Sequence, residues 1–132
     1  MKALIVEDDA TSRKLLQSIL SPYGICHLAV DGEEGITAFR TALEKGEPYD
    51  LVCMDIMMPK MDGHEALAAM RDIEKELEIG GDKEIRAIMT TALGDPKNVV
   101  KALYREGATA YLVKPIAKKK LLEEIKRMGL IE

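Results

Sequence analysis

Acidic side chains follow two of the apolar segments of this 132-residue chain, at the point where each segment ends. Glu7, Asp8 and Asp9 come directly after the run ALIV, and Asp55 comes directly after the run LVCM. An unpaired buried carboxylate is costly, so a purely structural aspartate at position 55 would need a cation beside it. Clustered carboxylates also bind hard divalent cations, and a carboxylate in such a cluster can act as a nucleophile in phosphoryl transfer.

Two further apolar segments end in groups that bind phosphate oxygens. The run RAIMT ends in Thr90 and is followed by Thr91, and the run AYLV is followed by Lys114. Each feature alone is weak, because an acidic residue such as Asp9 is often only a helix N-cap and a Lys-Pro pair is often only a turn. Polar groups after four separate apolar segments together predict a site that binds a cation and a phosphoryl group.

The elements that must position these residues alternate regularly along the chain. Five short apolar runs are separated by amphipathic segments, which predicts one α/β domain with a parallel sheet, right-handed crossovers and helices on both faces. We find no linker or repeat, so residues 1–132 are expected to form a single domain. The predicted strands span residues 3–6, 26–30, 51–54, 86–90 and 110–113.

The predicted helices have recognisable starts and apolar stripes. Asp31 and Asp62 each precede a glutamate at capping-box spacing, Asp95 precedes a proline that would open the fourth helix, and Gly80 is expected to end the third. The apolar stripes of these helices are expected to pack in the core. The stripes are Leu15, Leu16, Ile19 and Leu20 in the first helix, Ile36, Phe39 and Leu43 in the second, Ala66, Met70, Ile73 and Leu77 in the third, and Leu121, Leu122, Ile125 and Met128 in the fifth.

The geometry of such a sheet predicts where the polar groups meet. Ligands bind beyond the carboxyl ends of parallel strands, where the strand order reverses. If the order is 2-1-3-4-5, Asp8 and Asp55 face one another, with Thr91 and Lys114 on the far side. Two carboxylates ~4 Å apart repel by roughly 4 kcal/mol at an effective dielectric constant of about 20, and one lysine cannot neutralise four acids. A bridging Mg²⁺ would neutralise this charge, and it prefers oxygen ligands.

The segments LIVEDD, MDIMMPKMDG, TTA and GATAYLVKP resemble the receiver domain of bacterial two-component response regulators, in that family's order and spacing across essentially the whole chain. The resemblance implies the flavodoxin-like (βα)5 fold with strand order 2-1-3-4-5, a topology already described for the family's chemotaxis member. It implies that Asp55 is the phosphoacceptor. Asp8, Asp55 and the backbone carbonyl of Met57 would bind Mg²⁺, or Mn²⁺ in its place, and Glu7 would bind through water.

The same resemblance assigns a switch and a signalling role. Thr91 matches the switch hydroxyl, Tyr111 the aromatic residue whose rotation accompanies signalling, and Lys114 the lysine that holds the phosphoryl group. A sensor histidine kinase, a phosphotransfer protein or a small phosphodonor would phosphorylate Asp55. This would alter the surface of the fourth predicted helix, fifth strand and fifth predicted helix, where a downstream protein docks. Such a domain is a phosphorelay switch that assists its own phosphorylation and autodephosphorylation, not an enzyme.

Two apolar side chains bear on how long the phosphoryl group would last. Met57 lies two residues after Asp55, and Leu93 lies two residues after Thr91. In receivers both positions flank the path of the hydrolytic water. Apolar groups there offer that water no hydrogen bond, so a long-lived phosphoaspartate is expected.

Composition limits the other possibilities. At 47% hydrophobic and 32% charged residues, with no apolar run near the roughly 18 residues of a membrane span and no signal peptide, the chain is expected to be cytoplasmic. Residues 114–127 carry a net charge of +4 within a chain of net charge −4, but no aromatic platform accompanies them, which argues against nucleic acid. The end at Glu132 and the absence of paired acids in GATAY favour a stand-alone receiver over a fragment.

The cysteines and histidines show no ligand pattern. Cys26 and Cys53 lie in strand-like runs and are expected to be buried, reduced thiols. His27 and His64 stand apart and are expected to be structural or solvent-facing.

Three alternatives remain open. A phosphatase of the haloacid dehalogenase type needs a second aspartate two residues after its nucleophile, where this chain has Met57. A flavin-binding protein of this fold would have a first loop rich in Ser, Thr and Gly, not three acids. A receiver that no longer accepts phosphate would lack a required side chain, and all of them are present.

Overall fold

The computed structural model describes residues 1–92 and 107–132 and contains one five-stranded parallel sheet. The strand order is β2-β1-β3-β4-β5, as predicted for the flavodoxin-like fold. Each predicted strand is present, with ends that differ by a residue or so. The strands are β1 (Lys2–Val6), β2 (Ile25–Ala29), β3 (Leu51–Asp55), β4 (Arg86–Thr91) and β5 (Ala110–Val113).

Four α-helices cover the two faces of this sheet within the described residues. They are α1 (Ala10–Leu20), α2 (Gly32–Glu44), α3 (Gly63–Glu76) and the C-terminal helix (Lys118–Arg127). The predicted fourth helix, with its start at Asp95, falls within residues 93–106 and so lies outside the described residues. None of the described helices is both long enough and apolar enough to cross a membrane.

The helix starts follow the predicted caps. The Asp9 carboxylate accepts hydrogen bonds from the backbone and hydroxyl of Ser12, and Asp62 forms a complete capping box with Glu65. The end of α3 differs from the prediction, because the helix stops at Glu76, before Gly80. Glu78 takes the left-handed conformation there, with φ of 56°, so the chain turns without a glycine.

Two apolar layers hold the helices against the sheet. One layer lies between the sheet and α2 with α3, and the other lies between the sheet and α1 with the C-terminal helix. Most of the predicted stripe residues are buried or partly buried, but Leu15 is 42% exposed and Leu77 is 55% exposed. Leu15 lies toward the solvent side of its stripe, and Leu77 lies beyond the last turn of α3.

Strand β2 is much less covered than predicted. It lies at the edge of the sheet and pairs only with β1 among the described strands. Ala29 is its one buried residue, and Ile25 is 61% exposed. Cys26 is accordingly half-buried, so the prediction of a buried thiol is wrong for Cys26 and confirmed for Cys53, whose pKa burial raises to about 12.

The two histidines occupy structural positions. His27 Nδ1 shares a hydrogen bond of 2.6 Å with the Tyr49 hydroxyl, and His64 is buried near the start of α3. Within residues 1–92 and 107–132, neither histidine belongs to a group of three potential metal ligands.

An ion pair within α3, between Arg71 and the buried Glu74, connects this helix to the segments that precede β4 and β5. Glu74 is 2% exposed; one of its carboxylate oxygens accepts from Arg71 at 2.6 Å and the other from the Ile85 N–H at 2.7 Å. Arg71 also donates to the Gly107 carbonyl at 2.7 Å. The Glu74 carboxylate therefore satisfies a buried backbone N–H and also binds a partly buried guanidinium.

The C-terminal helix begins with little local support. Ala117 occupies its N-cap position and provides no side-chain hydrogen bond. Lys118, Lys119 and Lys120 fill its first turn, where the helix dipole disfavours cations. Packing of its buried residues against the sheet must therefore hold this helix in place, and Leu121 and Ile125 are both fully buried.

Candidate functional site

The sheet register brings the acidic residues together. Strands β1 and β3 are neighbours, with Val6 opposite Met54, so the residues that follow each strand emerge at the same level. One carboxylate oxygen each from Glu7, Asp8 and Asp55 lies within 4.8 Å of the others. The predicted approach of Asp8 to Asp55 is confirmed.

Burial makes it unfavourable for all three carboxyl groups of this cluster to be ionised unless further positive charge is added to that of Lys114. Glu7 has no exposed surface and Asp55 is 3% exposed, whereas Asp8 lies at the surface. Burial, together with the negative charge of Glu7, raises the pKa of Asp55 from 3.8 to about 7, although Lys114 acts in the opposite direction. A carboxyl group that resists ionisation in this way indicates that the local positive charge is insufficient.

Lys114, the residue directly after β5, faces the cluster with its ammonium group. Its Nζ lies 2.8 Å from Glu7 Oε2 and 3.5 Å from Asp55 Oδ1. Burial lowers the pKa of Lys114, but the hydrogen bond from its ammonium to Glu7 and the charges of Asp55 and Glu7 outweigh burial and raise it above its ordinary value. The ammonium is therefore charged at neutral pH and bridges the two buried acids.

The Glu7 carboxylate is held at both oxygens. Oε2 accepts from Lys114, and Oε1 accepts from the Asp9 N–H at 3.2 Å. These contacts leave the exposed Asp8 carboxylate as the acidic group most open to solvent. Asp9 itself caps α1 and has the helix N-cap role that is common for an acidic residue at this position.

The other predicted site residues lie along the same edge or next to it. Thr91 is the last residue of β4 and is fully buried. Its carbonyl accepts the Lys114 backbone N–H at 2.7 Å. Tyr111 lies within β5, three residues before Lys114. It is half-buried and packs against the apolar layer between the sheet and α2 with α3.

Met57 contacts Asp55 through its backbone, not its side chain. The Met57 N–H donates to Asp55 Oδ1 at 3.3 Å, while the Met57 side chain is 57% exposed. Leu93, the second residue expected to flank the phosphoryl group, lies outside the described residues.

The loop after β3 folds back closely over the Asp55 backbone, a feature that sequence reasoning missed. A Cβ on Gly63 would overlap the Asp55 carbonyl oxygen and lie 2.9 Å from Ile56 Cα. Lys60 reverses the chain in the left-handed conformation, with φ of 69°. The sequence signal for this turn is Pro59, which directly precedes Lys60.

Arg13 is a second residue that sequence reasoning missed. It lies in α1 and its Nη1 donates to the Glu7 carbonyl at 2.8 Å and, at a longer 3.4 Å, to the Asp8 carbonyl. No feature of the sequence distinguishes it from other helical arginines.

The donor set suits a hard divalent cation. Three carboxylates offer oxygen atoms within 4.8 Å of one another, one of these carboxylates is open to solvent, and the Lys114 ammonium opposes their charge. Mg²⁺ binds through one or two carboxylates and retains waters, which fits this arrangement.

Known proteins with similar sequences and structures agree with this geometry. The profile of the response regulator receiver domain matches residues 3–126. The chemotaxis protein CheY of Treponema pallidum is 41% identical over 126 residues, which cover 94% of this chain and 79% of that protein. The chain spans less than half the length of several other curated relatives.

Two solved structures superimpose over nearly the whole chain. A chain in the CheX–CheY–BeF3–Mg²⁺ complex from Borrelia burgdorferi has a TM-score of 0.82 and 30% identity, with 98% of this chain and 89% of that chain covered. A chain in the complex of the Saccharomyces cerevisiae phosphotransfer protein Ypd1 with the Ssk1 receiver domain has a TM-score of 0.81 and 28% identity, with 98% and 88% covered. The chain therefore belongs to the response regulator receiver domain family and is a domain of two-component signalling.

Proposed function

We propose that residues 1–132 form a cytoplasmic signalling domain in which Asp55 accepts a phosphoryl group. The observation that carries the proposal is the cluster of three carboxylates within 4.8 Å of one another, with the Lys114 ammonium 3.5 Å from Asp55. A buried acid and a cation placed together at the carboxyl edge of a parallel sheet are suited to bind and transfer a charged group.

Mg²⁺ is the cofactor that these residues fit, with Mn²⁺ as a substitute. Asp8, Asp55 and the Met57 carbonyl would bind the cation directly, and Glu7 would bind it through water, because both Glu7 oxygens already accept hydrogen bonds. When bound, the cation neutralises the charge on the acids and on the incoming phosphoryl oxygens.

The transfer itself needs little chemistry from the protein beyond position and charge. An Asp55 carboxylate oxygen attacks phosphorus, the new O–P bond forms as the N–P bond of a phosphohistidine breaks, and the electron pair returns to the imidazole nitrogen. Lys114, whose Nζ lies 3.5 Å from Asp55 Oδ1, would hold a phosphoryl oxygen. The Thr91 hydroxyl, at the end of the neighbouring strand, would hold another.

The phosphoryl group would then bias a local switch. Its charge engages Thr91, and Tyr111, half-buried in the next strand, changes its packing in response. The surface that includes β5 and the C-terminal helix, together with the predicted fourth helix, would change its affinity for a downstream protein. A histidine kinase or phosphotransfer protein would supply the phosphoryl group; the complex of Ypd1 with a receiver domain supports this kind of partner.

The exposed Met57 side chain supports a long-lived phosphoaspartate, since it offers the hydrolytic water no hydrogen bond. Replacing Met57 with Asn and Leu93 with Glu should accelerate loss of the phosphoryl group. Decay at the wild-type rate in the double variant would contradict this part of the proposal.

Intact mass after incubation with acetyl phosphate and Mg²⁺ tests the main proposal. We expect one phosphate adduct on the wild type, none on Asp55→Asn, and a wild-type result for Asp72→Asn, an exposed aspartate of α3. An adduct on Asp55→Asn, or none on the wild type, would refute it. Steady turnover of phosphomonoesters would instead favour a phosphatase.

A further inference from the structure

The backbone of the loop after β1 has one side-chain donor that spans two of its residues. Arg13 Nη1 donates to the carbonyls of Glu7 and Asp8, at 2.8 Å and 3.4 Å. These are the two residues whose carboxylates face Asp55 from β1. A single guanidinium on α1 therefore fixes the main chain that carries two of the three acids.

The two acids differ in how much else holds them. The Glu7 side chain is fixed independently, by Lys114 and by the Asp9 N–H. Asp8 is exposed, so the direction of its carboxylate depends on the orientation of its own backbone. Arg13 is the side chain that we find bonded to that backbone within the described residues.

We infer that Arg13 is a positioning residue for the cation site, acting through the Glu7 and Asp8 carbonyls. The inference rests on the proposed function, because it concerns how well the same carboxylates bind Mg²⁺. It assigns Arg13 no contact with the cation or with the phosphoryl group.

Charge and position predict opposite results for a change at Arg13. If the guanidinium acted only as a positive charge near the acids, removing it would tighten Mg²⁺ binding, by about threefold at most in salt. If it orients the loop, removing it weakens binding, by roughly tenfold, the lower end of what the loss of an outer contact to a metal ligand causes. The sign of the change therefore separates the two roles.

Isothermal titration of the purified protein with Mg²⁺ provides the test, with Arg13→Gln, Arg13→Lys and Lys14→Gln as variants. Lys14 is the exposed neighbour on α1, so Lys14→Gln removes the same charge without touching the loop carbonyls. We expect Mg²⁺ binding roughly tenfold weaker in both Arg13 variants, because the glutamine and lysine side chains are shorter than arginine and do not carry a donor to the position of Nη1 between the two carbonyls. Lys14→Gln should bind within about twofold of the wild type.

A rate measurement separates positioning from general damage. Phosphorylation by acetyl phosphate, followed by intact mass, should be slower in Arg13→Gln at low Mg²⁺ and should return to the wild-type rate at saturating Mg²⁺. A thermal melt without Mg²⁺ checks that the variants are folded; if Arg13→Gln is not, Arg13→Lys carries the test.

Three results would overturn the inference: unchanged affinity in Arg13→Lys, tighter binding in Arg13→Gln, or a rate that saturating Mg²⁺ does not restore. If the wild type itself bound no Mg²⁺, the proposed function would fail instead, so the two failures are distinguishable.

Discussion

The cluster of acids should make the metal-free protein less stable than it would be without Asp55. Burial and Glu7 raise the pKa of Asp55 from 3.8 to about 7, so ionising this group opposes folding. A shift of about three pKa units corresponds to about 4 kcal/mol, and screening by solvent that enters the open site reduces this to about 2–4 kcal/mol. Asp55→Asn should therefore stabilise the metal-free protein, raising its Tm by about 10 °C.

The pH dependence gives the effect its sign. Because the pKa of Asp55 in the folded protein lies above 3.8, the folded state binds more protons than the unfolded state between pH 3.8 and about 7. The wild type should lose this part of its stability as the pH rises through that window. The difference in Tm between Asp55→Asn and the wild type should be small near pH 4 and largest near pH 8.

Thermal unfolding followed by circular dichroism in EDTA, at several pH values, measures this difference. Asp72→Asn makes the same chemical change at an exposed position and should leave Tm unchanged. Added Mg²⁺ should raise the Tm of the wild type, by the equivalent of about 2.7 kcal/mol at a hundredfold excess over Kd, and raise that of Asp55→Asn much less. Equal melting of the two proteins at pH 8, or a difference that does not vary with pH, would refute the electrostatic reasoning.

Three further predictions concern packing. Gly63→Ala should destabilise the protein by about 2–3 kcal/mol in urea titration, since its Cβ would overlap the Asp55 carbonyl, whereas Gly80→Ala, with open space around it, should have a far smaller effect. Glu74→Ala should cost about 3 kcal/mol, because a partly buried guanidinium and a buried backbone N–H lose their acceptor. Exposed Glu76→Ala should cost little, and equal losses would contradict the role of the buried carboxylate. Cys53, buried and with a pKa of about 12, should resist thiol reagents at pH 8 until the protein unfolds; rapid labelling of the folded chain would show that its strand opens.

The parts of the fold that depend on local pattern were predictable from the sequence. The apolar runs predicted all five strands. The capping-box spacing of Asp31 and Asp62 to a glutamate three residues later predicted two helix starts. The approach of Asp8 to Asp55 followed from one assumption, the strand order. That assumption was supported chiefly by the resemblance to a known family.

The remaining features depend on contacts between distant segments. The exposure of Ile25 results from the edge position of β2, which an apolar run cannot reveal. The contact of Arg13 with the loop carbonyls depends on how α1 leaves the sheet. The buried state of Glu74 depends on the meeting of α3 with the N–H at the start of β4, and a glutamate on an amphipathic helix is ordinarily a surface residue.

The uncapped start of the C-terminal helix has a consequence for how the chain opens. Its first turn combines unsatisfied backbone N–H groups with the adjacent positive charges of Lys118–Lys120, so local forces there favour fraying. The anchoring contacts of Leu121 and Ile125 begin only after that turn. Amide protons of this turn should exchange with solvent through small, frequent openings, well before the central strands exchange.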